Sequence, residues 1–176
     1  MTTRIYVSNK IQKGYKKLVL NALPNKSEML ENQNSWNANY VAIFGGKCWL
    51  LTHTLTRYTV IVPDVKVKDT DRFLSILIES IIGQLKIKNI INPDKVYEFI
   101  EEVEFYPTNN DRSTIAYNNQ RMQDVNYWKF EFDSFEEFSF SMIGSNNNEI
   151  GMRPTNGISE YIQPSVAFLS LINSCL

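Results

Sequence analysis

The side chains best suited to chemistry in this 176-residue sequence gather in two stretches. His53, the single histidine, ends the run Lys47-Cys-Trp-Leu-Leu-Thr-His53, and Arg57 follows it closely. Asn110, Arg112 and Ser113 belong to a later polar segment, Thr108-Asn-Asn-Asp-Arg-Ser113. An imidazole exchanges a proton near neutral pH, and a guanidinium offers a planar fork to phosphate or carboxylate. With His53 as general base and Arg112 and Lys47 facing an anionic transition state, the set describes a small hydrolase or nuclease-like enzyme. The nearest nucleophile is Cys48, and strand alternation sends it to the face opposite His53. No complete catalytic set results.

The same groups without a nucleophile describe a binding surface. Trp36 supplies a stacking face and Asn39 an amide. Lys47, His53, Arg57, Asn110, Arg112 and Ser113 supply hydrogen bonds and charge. A helix starting near Asn110 would turn its first N–H groups toward an anion. The reading preferred from the residues is a non-enzymatic binding protein whose partner is RNA, a nucleotide or an acidic protein surface. Each of these residues also has a bland role, since Asn and Ser cap helices, Trp packs, and Arg ties loops to carboxylates.

Composition removes several classes. Lys and Arg total 18 against 19 Asp and Glu, so the chain lacks the basic excess of a non-specific DNA coat. Gly45-Gly46 is not followed by Gly-Lys-Ser/Thr, which excludes a phosphate loop of that type. No His pair or Asp-x-Asp array suggests a metal, and no cofactor is expected. Cys48 and Cys175 make no disulfide framework, with Cys48 read as a small buried hydrophobe. No apolar run approaches the roughly 20 residues of a membrane helix, and no leader opens the chain, so a cytoplasmic protein is expected. Asparagine clusters at Asn32, Asn34, Asn37 and Asn39 and at Asn146–Asn148, a bias suggesting an AT-rich bacterial genome or mobile element.

The elements that must position these groups form one α+β domain over 1–176. Tyr40–Phe44 and Lys47–His53 read as a hairpin whose loop residues are Gly45 and Gly46, placing Tyr40 opposite Leu51. Arg57–Val62 completes a three-stranded antiparallel meander at about 40–63, packed by several helices. A strand is expected at 4–7 and helices at 11–23, from Asp69 or Thr70 onward, after Asn92-Pro93, and at 114–126. Glu101 and Glu102 fall on the solvent side of the third of these. Residues 127–140 alternate aromatic and acidic types and suggest a further strand, which could pair edge to edge with a protein partner. Residues 144–157 read as a flexible loop, and 158–176 as a C-terminal helix kinked or broken at Pro164.

The segments Ser35-Trp-Asn-Ala-Asn39, Lys47-Cys-Trp-Leu-Leu-Thr-His53, Thr56-Arg-Tyr-Thr59 and Asn110-Asp-Arg-Ser113 resemble an uncharacterised bacterial family of small proteins. Its members carry W-x-A-N, K-C-x-L-x-T-H and N-x-R-S patterns. The resemblance covers roughly residues 1–130 and implies relatives without an activity. It directs attention to Trp36, Asn39, Lys47, Cys48, Thr52, His53, Asn110, Arg112 and Ser113. With the composition, it suggests a bacterial accessory or defence-related setting.

Overall fold

A computed structural model describes residues 2–25, 27, 32–66, 71–89, 92–151 and 161–175. Strands β1 (Thr2–Val7), β2 (Ser35–Ile43), β3 (Gly46–His53), β4 (Thr59–Val62) and β5 (Glu102–Pro107) form one mixed sheet in the order β4-β3-β2-β1-β5. The α+β class is as expected, but the three-stranded meander at about 40–63 is only part of the sheet. β2, β3 and β4 pair antiparallel, with β2 starting already at Ser35. β1 lies parallel to both β2 and β5. Parallel partners need long crossovers and carry no local turn signal, so the sequence showed a strand at 4–7 but not its pairing, and did not show β5.

The hairpin itself is set one residue away from the glycine pair. Phe44 (φ 45°) and Gly45 (φ 80°) are the turn residues, Gly46 pairs with Ile43, and Tyr40 stands opposite Trp49. Gly46 is held in the ladder by packing: a Cβ there would lie 2.2 Å from the Phe135 ring. Side-chain alternation along β3 is unaffected.

Both faces of the sheet are buried. Trp36, Trp49 and Leu51 join the larger core with helices α1 (Asn9–Gly14), α2 (Phe73–Lys86), α3 (Pro93–Phe99) and α6 (Pro164–Cys175). Cys48, Leu50 and Ile61 project into a smaller core under α4 (Arg112–Trp128) and α5 (Phe140–Asn147). At about 1.5–3 kcal/mol per fully buried large apolar side chain, the continuous apolar face of α2 alone is a major stabilising element. Asn92 caps α3 as the sequence predicts, its Oδ1 accepting from Asp94 N at 3.1 Å, with Pro93 in the first turn.

Several local expectations are corrected. α1 ends at Gly14, and Val19 instead makes a strand-like bridge with Phe105. Glu102, expected on the solvent side of the helix after Asn92-Pro93, begins β5 instead. Residues 127–140 form no strand; they contain the end of α4, a 3-10 turn at Lys129–Glu131, and bends, leaving Phe130 86% exposed. The edge-to-edge pairing expected there therefore has no strand to use. Residues 144–147, expected in a flexible loop, are the last turn of α5. Gly144 is packed against Gln84, and Asn148 Nδ2 donates to Thr59 O at 2.8 Å. Pro164 begins α6 and so does not kink it, because the first turn needs no N–H from proline. The expected cap at Asp69 or Thr70 and the last part of the expected loop, residues 152–157, lie outside the described residues.

Both cysteines are free. Among the described residues no helix is long and apolar enough to cross a membrane, and no cluster of His, Cys, Asp and Glu is arranged to hold a metal ion.

Candidate functional site: a cleft at the ends of the parallel strands

β1 leaves the sheet into α1 on the larger-core face, whereas β5 leads into α4 on the opposite face. Where adjacent parallel strands send their exits to opposite sides, a crevice opens beyond their carboxyl ends. A cleft of about 240 Å³ lies there, lined by Tyr6, Ser8, Asn37, Asn39, Asn110 and Asn118 among others. None of its lining residues carries a formal charge. An adjoining depression shares Asn110 and Ile115 with it and adds the exposed Arg112.

Asn118 is 3% exposed and comes from α4, one turn past Thr114, on the buried face of that helix. Its Nδ2 donates toward the carbonyls of Asn37 (3.2 Å) and Leu50 (3.0 Å) and lies 3.1 Å from Thr52 Oγ1. Its Oδ1 is buried without a partner, as are Asn37 Nδ2, Ser8 Oγ and Tyr6 Oη. Unpaired buried polar atoms each cost about 1–3 kcal/mol, so four among the residues of one cleft call for an explanation. Ser8 occupies the N-cap position of α1, where a serine hydroxyl normally accepts from the first turn, yet it makes no cap hydrogen bond. Desolvation raises the pKa of the nearby Tyr6 phenol, with Arg4 working in the opposite direction.

The beginning of α4 is already occupied. Asp111 caps it, Oδ1 accepting from Ser113 N and Thr114 N at 3.1 Å each and Oδ2 from Thr114 Oγ1 at 2.5 Å. Those are the N–H groups expected to face an anion. Arg57, 3% exposed and held at φ 59°, donates from Nη2 to Ser113 Oγ at 2.9 Å and from Nη1 to Thr114 Oγ1. It ties the β3–β4 turn to the helix start. Burial lowers its pKa from the ordinary value, against the opposing pull of Asp111.

His53 and Trp36 sit in the larger core, fully buried. The carbonyl of Gln33 accepts from His53 Nε2 at 2.9 Å, which fixes the neutral tautomer and leaves Nδ1 to accept from Thr56 Oγ1 at 3.0 Å. Burial, aided by Arg57 and opposed by the Gln33 contact, holds the His53 pKa down to about 3. Trp36 Nε1 donates to Asn34 Oδ1 at 2.8 Å, and its ring meets His53 and Phe168 edge to face. Lys47 is exposed beside the hairpin turn, six residues and roughly 20 Å along β3 from His53. Burial pushes the Cys48 thiol up to about 11.

The fold thus brings Asn39 and Asn110 into one cleft with Arg112 beside it. Ser113 and Arg57 meet at the helix start, while Trp36 and His53 lie in the larger core and Lys47 at the hairpin. Asn118 and Ser8 were missed, and Asn37 stood among the polar residues leading into the hairpin but not among the candidate ligand residues. The alternation in Trp36-Asn-Ala-Asn39 did hold a signal, since it puts Asn37 and Asn39 on one face and Trp36 on the other.

The family described as a domain of unknown function (DUF6933) matches residues 4–167. The chain belongs to that family. The match runs well past residue 130, so α5 and the start of α6 are part of the DUF6933 unit, beyond the span of the resemblance drawn from the motifs. No curated protein and no solved structure matches the chain. Within this DUF6933 domain, the W-x-A-N segment serves two faces at once, Trp36 the core and Asn39 the cleft.

Proposed function

We propose that this protein is a non-enzymatic binding protein that takes a small anionic ligand, of the nucleotide class, at the cleft beyond β1 and β5. The reading is carried by one observation: four residues that line the crevice where the strand exits diverge, Tyr6, Ser8, Asn37 and Asn118, each hold a buried polar atom without a hydrogen-bond partner. Arg112, exposed in the adjoining depression, is placed to meet the anionic end while the uncharged part enters the cleft. Of the partners expected from the sequence, a nucleotide suits this concavity best. An RNA strand favours a basic groove with exposed stacking rings, and here the cleft is uncharged and Trp36 is buried. A flat acidic protein surface would leave the cleft unfilled. The hydrolase reading loses support because both ring nitrogens of His53 are engaged inside the core.

The test is thermal unfolding of the full chain with a nucleotide panel, alongside native mass spectrometry of gently purified protein. A ligand at about one hundred times its Kd should stabilise the chain by about 2.7 kcal/mol, and Arg112→Ala should weaken that response without lowering the ligand-free midpoint. Absence of any shift across the panel, with no co-purifying ligand, would sink the proposal.

A further inference from the structure

The unpartnered buried atoms of the residues that line the cleft are not alike. Asn37 Nδ2 is a donor, Asn118 Oδ1 is an acceptor, and Ser8 Oγ and Tyr6 Oη can each serve as either. Asn37 and Asn118 are neighbours, the Asn118 amide nitrogen lying 3.2 Å from the Asn37 carbonyl. Because that nitrogen is tied to the β2 and β3 backbone, the direction of Asn118 Oδ1 is fixed before anything binds. A phosphate or carboxylate in this position would satisfy Asn37 and turn lone pairs against Asn118 Oδ1. A cation would do the reverse, and an apolar ring would satisfy neither.

From this pairing we infer that the buried end of the ligand is a nucleobase, read through an uncharged edge that sets a hydrogen-bond acceptor beside a donor. The inference rests on the binding reading above and deepens it. Asparagine amides pair with base edges through just such a donor and acceptor together. The absence of formal charge in the lining fits a neutral ring, and Arg112 outside it fits the phosphate that such a ring carries. About 240 Å³ is below the roughly 300–1,000 Å³ of drug-sized sites, which suits one base inside with the sugar at the mouth. The position of Ser8 agrees: a residue placed to cap α1 leaves its hydroxyl at the cleft instead.

The experiment is calorimetric titration of the full chain with adenosine, guanosine, cytidine and uridine 5′-monophosphates and with ribose 5-phosphate. At least one monophosphate should bind ten or more times tighter than ribose 5-phosphate. Asn37→Ala should erase that advantage while leaving ribose 5-phosphate binding in place, and Ser8→Ala should reduce it about threefold. Circular dichroism of both variants shows that they fold, and neither removes an existing hydrogen bond of the side-chain atom concerned. If ribose 5-phosphate binds as well as every monophosphate in an Arg112-dependent manner, the site stands and base reading is overturned. If none of the five binds, the binding reading falls and base reading with it.

Discussion

On the larger-core face of the sheet, Trp36 and His53 lock against Phe168 ring to ring, and their nitrogens end on Asn34, Gln33 and Thr56. Across β2, on the other face, Asn37 and Asn118 are also buried, yet each keeps a polar atom without a partner. Trp49 Nε1, within a cluster of Tyr15, Phe73 and Phe105 rings, is also unpaired, as are Tyr117 Oη and Asn147 Nδ2, and none of these residues lines the cleft. The contrast separates polar residues kept for folding from those kept for something else. A closed network stabilises and specifies the core; an open one at a crevice has a free energy cost that a ligand can offset.

Removing a closed contact should have the largest effect. Arg57→Ala takes a buried guanidinium from the hydroxyls of Ser113 and Thr114 and should lower stability by about 1.5–3 kcal/mol in urea unfolding. A near-neutral result would mean that Arg57 is not structural, and would return it to the ligand site.

The pH dependence of His53 comes next. Its folded pKa of about 3 lies below the ordinary 6.5, so above pH 6.5 the group is neutral in both states. As pH falls below that value, the unfolded chain takes up a proton that the folded chain refuses. Stability should drop toward a limit of tenfold in the folding constant per pH unit, continuing down to about pH 3. His53→Gln should be less stable at pH 7 but shallower in slope between pH 6 and 4. Equal slopes would show that the imidazole is not held neutral.

The two helix caps at the cleft give the finest distinction. Asp111→Ala removes a working cap and should cost about 1 kcal/mol. Ser8→Ala removes a hydroxyl that caps nothing and should stay within about 0.5 kcal/mol, measured by the same unfolding curves without ligand. If Ser8→Ala proved as damaging as Asp111→Ala, its hydroxyl would be bonded in solution and the open network would shrink.

Local patterns made much of this legible. The β3 alternation, the Asn92-Pro93 cap and the buried face of α2 follow from period and cap chemistry, which depend on residues a few positions apart. Asn39, Asn110 and Arg112, singled out from the sequence, do line the cleft or the depression beside it, Asn39 from strand β2 and the other two from the start of α4. Arg57 was singled out as a ligand residue, and only the packed turn shows its guanidinium donating to Ser113 and Thr114.

By itself, then, the sequence determined the faces of the hairpin strands, the helix start at Asn92-Pro93 and the approximate places of α2 and α4. The tertiary structure alone decided that β1 runs between two parallel neighbours, that its exit and that of β5 part to opposite faces, and that Ser8, Asn37 and Asn118 meet. The reason is the range of the interactions. Periodicity and capping are written within one or two turns of chain, whereas the cleft joins residues from β1, β2 and α4 that are separated by up to about a hundred positions and brought together only by sheet order and the burial of both sheet faces.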